Sequence, residues 1–529
     1  MTTRVDLEKE VVSKRSWNHH DAESFTLGAR LTTHQLVSLV KSANPRVVVD
    51  NWTLVEESRA RVEHAVQDGL SHYGINTGFG FLARVRVEND KLEQLQVNLI
   101  RSHACGVGRD LEEEIVRGLL LLRAHSFLHG YSGVRTDLVK TLLRFLENDI
   151  LPVIPEQGSV GASGDLAPLA HLALGLIGEG EVIYQGQKQH VGQVLEKLQI
   201  EPVCLQAKEG LALINGTHLM AVLGAHAVEE SWIVLESASV IAAVSLTALR
   251  GSYTPFDKRI HQVRHHLGQQ IEADKMRLMF EGSDEIHESH VDCDRVQDPY
   301  SFRCLPQVHG ATRDALSWVH QTIEDELNAV TDNPLVFENG DVLSGGNFHG
   351  QPVSLGMDVL GIAMAEMGSI SERRIDKLMN PHLSGGQVAF LAEESGLQSG
   401  YMIPHVVAAS LVSENKGLAN PACTDSIPTS ADQEDHVSMG PIAARKARQI
   451  LRNVEKVLAI ELLAACQGLD YLQPLKPAPR VEAVWKAVRE FVPLSHGDRA
   501  MSHDIEAVSR WIRDGKLIKV LEDFSGENV

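Results

Sequence analysis

Between about 211 and 250 the chain runs through alanine, leucine and valine with no proline and only scattered polar side chains, His218, His226, Glu229, Glu230 and Glu236. A helix that is apolar nearly all round is stable in water only when it is buried on every side. A second long segment covers 351 to 380 and ends at Asn380-Pro381. A third covers about 440 to 470, with Arg445, Lys446, Arg448 and Arg452 outside an Ala/Leu/Ile stripe. Helices of about 30 residues are roughly 45 Å long, against an average of about 11 or 12 residues. They predict a mainly α fold, an elongated bundle of long helices whose apolar faces also pack against other subunits. The longest uncharged apolar run near the middle, 237–249, is shorter than the roughly 20 residues that cross a bilayer, so no membrane partner is expected.

Composition narrows the function further. With 49 basic and 70 acidic residues the net charge is -21, the wrong sign for tracking a phosphate backbone or an anionic membrane. Aromatics make only 5% of the chain, which suits aliphatic helices better than strands. The cysteines at 105, 204, 293, 304, 423 and 466 form no close pair and no disulfide framework, pointing to a reducing cytosol. The amino terminus alternates acid and base with no apolar run after it, so neither a signal nor a transit peptide is expected.

Residues 1–27 are polar and read as a flexible arm. No internal repeat or linker divides the remainder, so 28–529 is expected to be a single body. Within it, 28–210 is loop-rich and mixed, 211–480 is the long-helix bundle, and 481–529 forms carboxy-terminal helices. Two stretches, 182–187 and 335–343, are expected to be hairpins, the second with Asn339-Gly340 as a type I′ turn.

The most informative local sequence is Gly158-Ser159-Val160-Gly161-Ala162-Ser163-Gly164-Asp165-Leu166-Ala167-Pro168-Leu169-Ala170-His171. It reads as a helix start, with Ser163 or Asp165 as N-cap and Pro168 in the first turn. A nucleophile elbow fits less well, because the second glycine comes one residue early and no strand precedes it. A phosphate loop lacks its lysine. A fourth reading is chemical: in a tightly bent Ala-Ser-Gly, the glycine nitrogen can attack the alanine carbonyl carbon. Loss of water from the ring and from the serine then leaves an exposed methylidene, an electrophile made from the chain itself.

In this Ala-Ser-Gly-Asp-Leu-Ala-Pro-Leu context the chain resembles the aromatic amino acid ammonia-lyase family. The resemblance runs from about 28 to 480. It includes Tyr73-Gly74-Ile75-Asn76-Thr77-Gly78-Phe79-Gly80, Ser102-His103-Ala104-Cys105-Gly106-Val107-Gly108, Asn215-Gly216-Thr217 and Gln297-Asp298-Pro299-Tyr300-Ser301-Phe302-Arg303. Further on come Gly345-Gly346-Asn347-Phe348-His349-Gly350 and Gln433-Glu434-Asp435-His436-Val437-Ser438-Met439. The resemblance implies an ammonia-lyase and fumarase-like architecture and a homotetramer with active sites built from more than one subunit. It also implies a 4-methylideneimidazole-5-one formed autocatalytically from Ala162, Ser163 and Gly164, with no external cofactor. Ser102-His103 and the Gln-Glu-Asp-His run at 433–436 are the forms associated with a histidine substrate, which implies conversion of L-histidine to trans-urocanate and ammonia. Tyrosine or phenylalanine lyases and aminomutases of the same family are the nearest alternatives.

Expelling ammonia from an α-amino acid needs an electrophile and a base for the β-proton. By resemblance, Tyr73 is the base; its pKa of about 10 would have to fall, or its phenolate be stabilised, for it to act at neutral pH. Tyr300 joins it among the catalytic residues. Arg303 is suited to clamp the substrate carboxylate, and three residues of spacing let Tyr300 reach the same cavity. Asn215 and Gln297 are expected to hydrogen-bond the prosthetic group and substrate, and Phe348 to pack on a ring. His103, Gln433 and Glu434 stand at the substrate side chain, with Glu434 accepting from the imidazole N–H and His103 fixing the other edge. No metal is expected. A competing metal cluster, His287, His290 and Cys293, departs from known ligand spacing, and a non-catalytic helical scaffold is the remote alternative.

Overall fold

The computed structural model describes residues 24–68, 70–78, 80, 84–292, 296–384, 386–394 and 396–526. Most of the polar arm, Phe79 and Cys293 lie outside the described residues. In chain order, the helices that position the site are α1 (Leu92–His103), α2 (Glu113–Phe127), α3 (Leu166–Leu176), α4 (Glu209–Ile214) and α5 (His218–Ala248). They are followed by α6 (Leu305–Leu327), α7 (Gln351–Met379), α8 (Met402–Leu418) and α9 (Gly440–Asp470). The fold is mainly α, as its sequence predicts.

Burial accounts for the composition of the long helices. Along all 31 residues of α5 only Glu230, Ile233 and Glu236 are less than fully buried, because α6, α7 and α9 all pack against it. By length and composition α5 and α7 are apolar enough to cross a membrane, although 89% of the apolar window in α5 is buried inside the protein. The buried length of α5 thus exceeds the short uncharged run 237–249.

The basic residues of α9 are partly buried in ion pairs rather than free on its outside. Arg448 reaches Glu112 at 2.7 Å, and Arg452 reaches Glu230 on α5 at 2.7 Å. Deeper in the bundle, Glu461 of α9 accepts from Ser245 of α5 at 2.8 Å and from both Ser371 and Arg374 of α7 at 2.5 Å. Such a satisfied polar node fixes how three otherwise slippery helices register on one another.

The segment expected as one run from 211 is broken: α4 ends at Ile214 and α5 begins at His218. Gly216 sits between them at φ 118°, and the Ala-Ser-Gly loop lies against it. The loop-rich part carries a small antiparallel sheet of β1 (Leu151–Pro152), β2 (Glu181–Tyr184) and β3 (Gln187–His190), in the order β1-β2-β3. Gln185 and Gly186 both take positive φ between β2 and β3, as a two-residue primed hairpin requires. The second hairpin, β4 (Leu335–Val336) with β5 (Val342–Leu343), turns differently from expectation. Gly340 N–H donates to Phe337 O, and within this loop only Gly340 has positive φ. The turn therefore centres on Glu338-Asn339, with Gly340 as the bulge that restores the strand pairing. Helices Pro479–Phe491, Ser502–Arg513 and Lys516–Gly526 end the described chain.

Candidate active site

Ala162-Ser163-Gly164 precedes α3 in a bend clamped from both sides. Gly216 N–H donates to Ser163 O at 3.4 Å, and Asp165 N–H donates to Gly216 O at 2.8 Å. Gly164 has φ 76°, and a Cβ there would lie 2.1 Å from Gly216 O, so only glycine fits. Gly161, at φ 68°, would meet Ser438 Oγ at 2.2 Å. Ser159 Oγ ties the bend together, accepting from Gly161 N–H and donating to Gly164 O, both at 3.0 Å. Among the described residues the Gly164 N–H donates no hydrogen bond, which leaves its nitrogen free within a compressed loop.

Asp165 does not cap its own helix by side chain. Its Oδ2 instead accepts from Leu219 N–H at 2.8 Å and Met220 N–H at 3.2 Å, joining the loop to the positive end of α5. Burial raises its pKa to about 7.

A cavity of about 910 Å³ opens beside the loop and brings together Tyr73, His103, Ala162, Ser163, Asn215, Phe348, Gln433 and Glu434. Ser163 Oγ donates to Glu434 Oε1 at 2.7 Å. Thr429 Oγ1 donates to the other carboxylate oxygen at 2.6 Å. His103 closes α1. Its Nδ1 lies 2.8 Å from Leu99 O and 3.0 Å from Ser102 Oγ. A carbonyl only accepts, so Nδ1 carries the hydrogen and Nε2 is left as an acceptor. Burial lowers the His103 pKa, with Leu99 O and Glu434 opposing. His103 and Glu434 are thus both acceptors, which corrects the expectation that His103 meets the hydrogen-free edge of an imidazole.

Tyr73 Oη accepts from Gly80 N–H at 3.4 Å. Its pKa is raised, chiefly by burial and further by Glu434, against the Gly80 hydrogen bond. A base at this position needs the opposite shift, so within one chain Tyr73 keeps its proton. Asn215 Nδ2 donates to Asn333 O at 3.1 Å, placing its amide on the cavity wall.

Gln297, Tyr300 and Arg303 are not in this cavity. Gln297 is exposed, and Tyr300 is 69% exposed. The Arg303 guanidinium stacks on the Tyr300 ring at 4.5 Å, while its buried Nε has no hydrogen-bond partner among the described residues. The three-residue spacing does put Tyr300 and Arg303 on one helical turn, but that turn belongs to another face of the chain. His287 of the rival metal cluster stacks on Tyr253 at 4.0 Å. Cavity residues that sequence reasoning missed include Arg84, Asn98, Asn333, His349 and His436. His349 and His436 stand in quoted motifs, and their rings stack at 5.7 Å; adjacency to Phe348 and Glu434 was the available signal.

Residues 31–490 match the family described as aromatic amino acid lyase. The chain belongs to the aromatic amino acid lyase family. Relatives of this lyase include the histidine ammonia-lyase of Geobacillus thermodenitrificans, 52% identical over 92% of this chain and 96% of the relative. That of Sorangium cellulosum is 52% identical over 86% and 89%. Among solved structures, histidine ammonia-lyase from Trypanosoma cruzi superimposes with a TM-score of 0.88 at 43% identity, covering 95% of this chain and 96% of that one. Tyrosine aminomutase from Streptomyces globisporus gives 0.88 at 36% identity, covering 95% and 99%.

Proposed function

We propose that this lyase eliminates ammonia from L-histidine to give trans-urocanate in the cytoplasm. The observation that carries the reading is one cavity in which the Ser163 hydroxyl, Glu434 and a neutral His103 converge. The names and identities of the relatives support the same substrate.

The bend at Ala162-Ser163-Gly164 fits a self-formed 4-methylideneimidazole-5-one. Its Gly164 nitrogen donates no hydrogen bond among the described residues, and no larger residue fits at 164. Once formed, this group supplies an electrophile toward which the amino group is activated. Around it, Asn215 and Phe348 line the wall, while His103 Nε2 accepts the imidazole N–H. Glu434 and Gln433 fill the polar remainder of the side-chain pocket. Tyr73 takes the β-proton, and its phenolate needs a positive neighbour to offset burial and Glu434.

Gln297, Tyr300 and Arg303 enter the site from a neighbouring subunit of a homotetramer. Arg303 pairs the substrate carboxylate there and adds positive charge to the cavity that holds Tyr73. The unpartnered Arg303 Nε and the exposed Tyr300 ring support that placement.

The test is incubation with L-histidine, following urocanate absorbance beside tyrosine and phenylalanine controls, together with an intact mass. Urocanate should appear from histidine alone. The wild-type mass should be two waters below the sequence mass, and Ser163→Ala should restore the full mass and lose nearly all turnover. A β-amino product, or a preference for tyrosine, would replace this reading with a mutase or another family member. An active wild type with no water loss would sink the electrophile.

A further inference from the structure

The carboxylate of Glu434 is held by a six-residue clasp whose backbone conformation is costly for its sequence. Thr429 and Glu434 pair across the clasp: Thr429 N–H donates to Glu434 O at 3.0 Å and Glu434 N–H to Thr429 O at 3.3 Å. Between them Ser430, Ala431 and Asp432 take φ of 53°, 53° and 64°. This is three successive left-handed residues without a glycine, in a region that such side chains visit only singly. All three are exposed in the single chain, so packing within the chain does not impose the turn. The bridge and Gln433 N–H to Ser430 O at 3.2 Å close it. Strain that the chain's own packing does not impose points to function at the residue it delivers.

The side chains show what is delivered. The Glu434 carboxylate has two side-chain donors among the described residues, Ser163 Oγ at 2.7 Å and Thr429 Oγ1 at 2.6 Å. On the reading proposed above, on which this inference rests, the Ser163 hydroxyl leaves as water when the loop matures. Its donation to Glu434 ends at that point. Thr429 is then the remaining side-chain donor to the carboxylate, bonded to the oxygen that Ser163 does not use.

We infer that Thr429 is a positioning residue, which through the strained clasp at 429–434 holds Glu434 in register with the imidazole ring of the substrate. It touches no reacting atom. Its hydroxyl fixes one carboxylate oxygen so that the other stays aimed into the cavity. Valine matches threonine in shape but cannot donate, whereas serine keeps the hydroxyl.

The test compares Thr429→Val and Thr429→Ser in the full-length protein, measuring kcat, KM, intact mass and assembly size. Loss of one hydrogen bond to a charged group predicts a roughly 10- to 100-fold lower kcat/KM for L-histidine in Thr429→Val. The two-water mass deficit and the assembly should be unchanged. Thr429→Ser should recover most of that loss, and Thr429→Val should have little further effect once Glu434→Gln is present. Wild-type kcat/KM in Thr429→Val would overturn the inference, as would equal loss in both variants. Loss of the mass deficit would overturn it too, since threonine would then serve folding or maturation. A wild type inert toward histidine would instead sink the functional reading and this inference with it.

Discussion

Glu434 and Ser163 meet at 2.7 Å across 271 residues of sequence, and that one contact joins the Ala-Ser-Gly bend to the proposed side-chain pocket. His103 stands in the same cavity as a neutral acceptor, its ring fixed by Leu99 O. On the proposed reading, His103→Leu leaves the imidazole N–H buried without its acceptor, at a cost of about 1 to 3 kcal/mol, and Glu434→Gln removes the negative charge beside the ring. Both variants should lower kcat/KM for histidine, His103→Leu by roughly 5- to 150-fold, while the two-water mass deficit persists. Wild-type turnover in both variants would remove the basis for histidine selectivity. Both residues were legible in the sequence because each sits in a run of specific neighbours. Thr429 was not, because its hydroxyl matters only through a hydrogen bond that no spacing rule announces.

The helices carry a second set of histidines that take no part in the site. His125 lies on α2, His218 and His226 on α5, and His309 on α6, all buried. Burial lowers the pKa of His125 to about 4 and of His226 to about 3, and pushes His218 and His309 well below the usual range. Unfolded, each titrates near 6.5, so the unfolded chain binds more protons at acid pH. Their contribution is therefore complete above about pH 6.5 and is lost as the pH falls toward 4. At pH 5 the loss is about 2 kcal/mol per histidine, at about 1.4 kcal/mol per pKa unit. Asp165, raised to about 7, works in the opposite direction and offsets part of this. Thermal unfolding should move several degrees lower between pH 7 and pH 5, and an unchanged midpoint would contradict the balance. The helices themselves were plain from their apolar runs. The break at Gly216 and the left-handed turn at 430–432 were not, since the first answers a distant loop and the second uses residues with no preference for that conformation.

At the level of the whole molecule, the chain holds every proposed site residue, yet its fold divides them between two surfaces. The motif around Gln297, Tyr300 and Arg303 was recognisable in the sequence, but the order of residues does not say which chain's cavity a side chain enters. Four chains of 58.1 kDa would give an assembly of about 232 kDa, and light scattering that finds an active monomer would contradict it. If Arg303 serves a neighbour's cavity, each subunit is at once a lender and a borrower. Two preparations dead for different reasons, Ser163→Ala and Arg303→Ala, should then revive one another when their subunits are mixed and reassembled. Some sites would draw an intact loop from one parent and an intact arginine from the other, so a defect in one copy of the protein can be masked by a different defect in its companion.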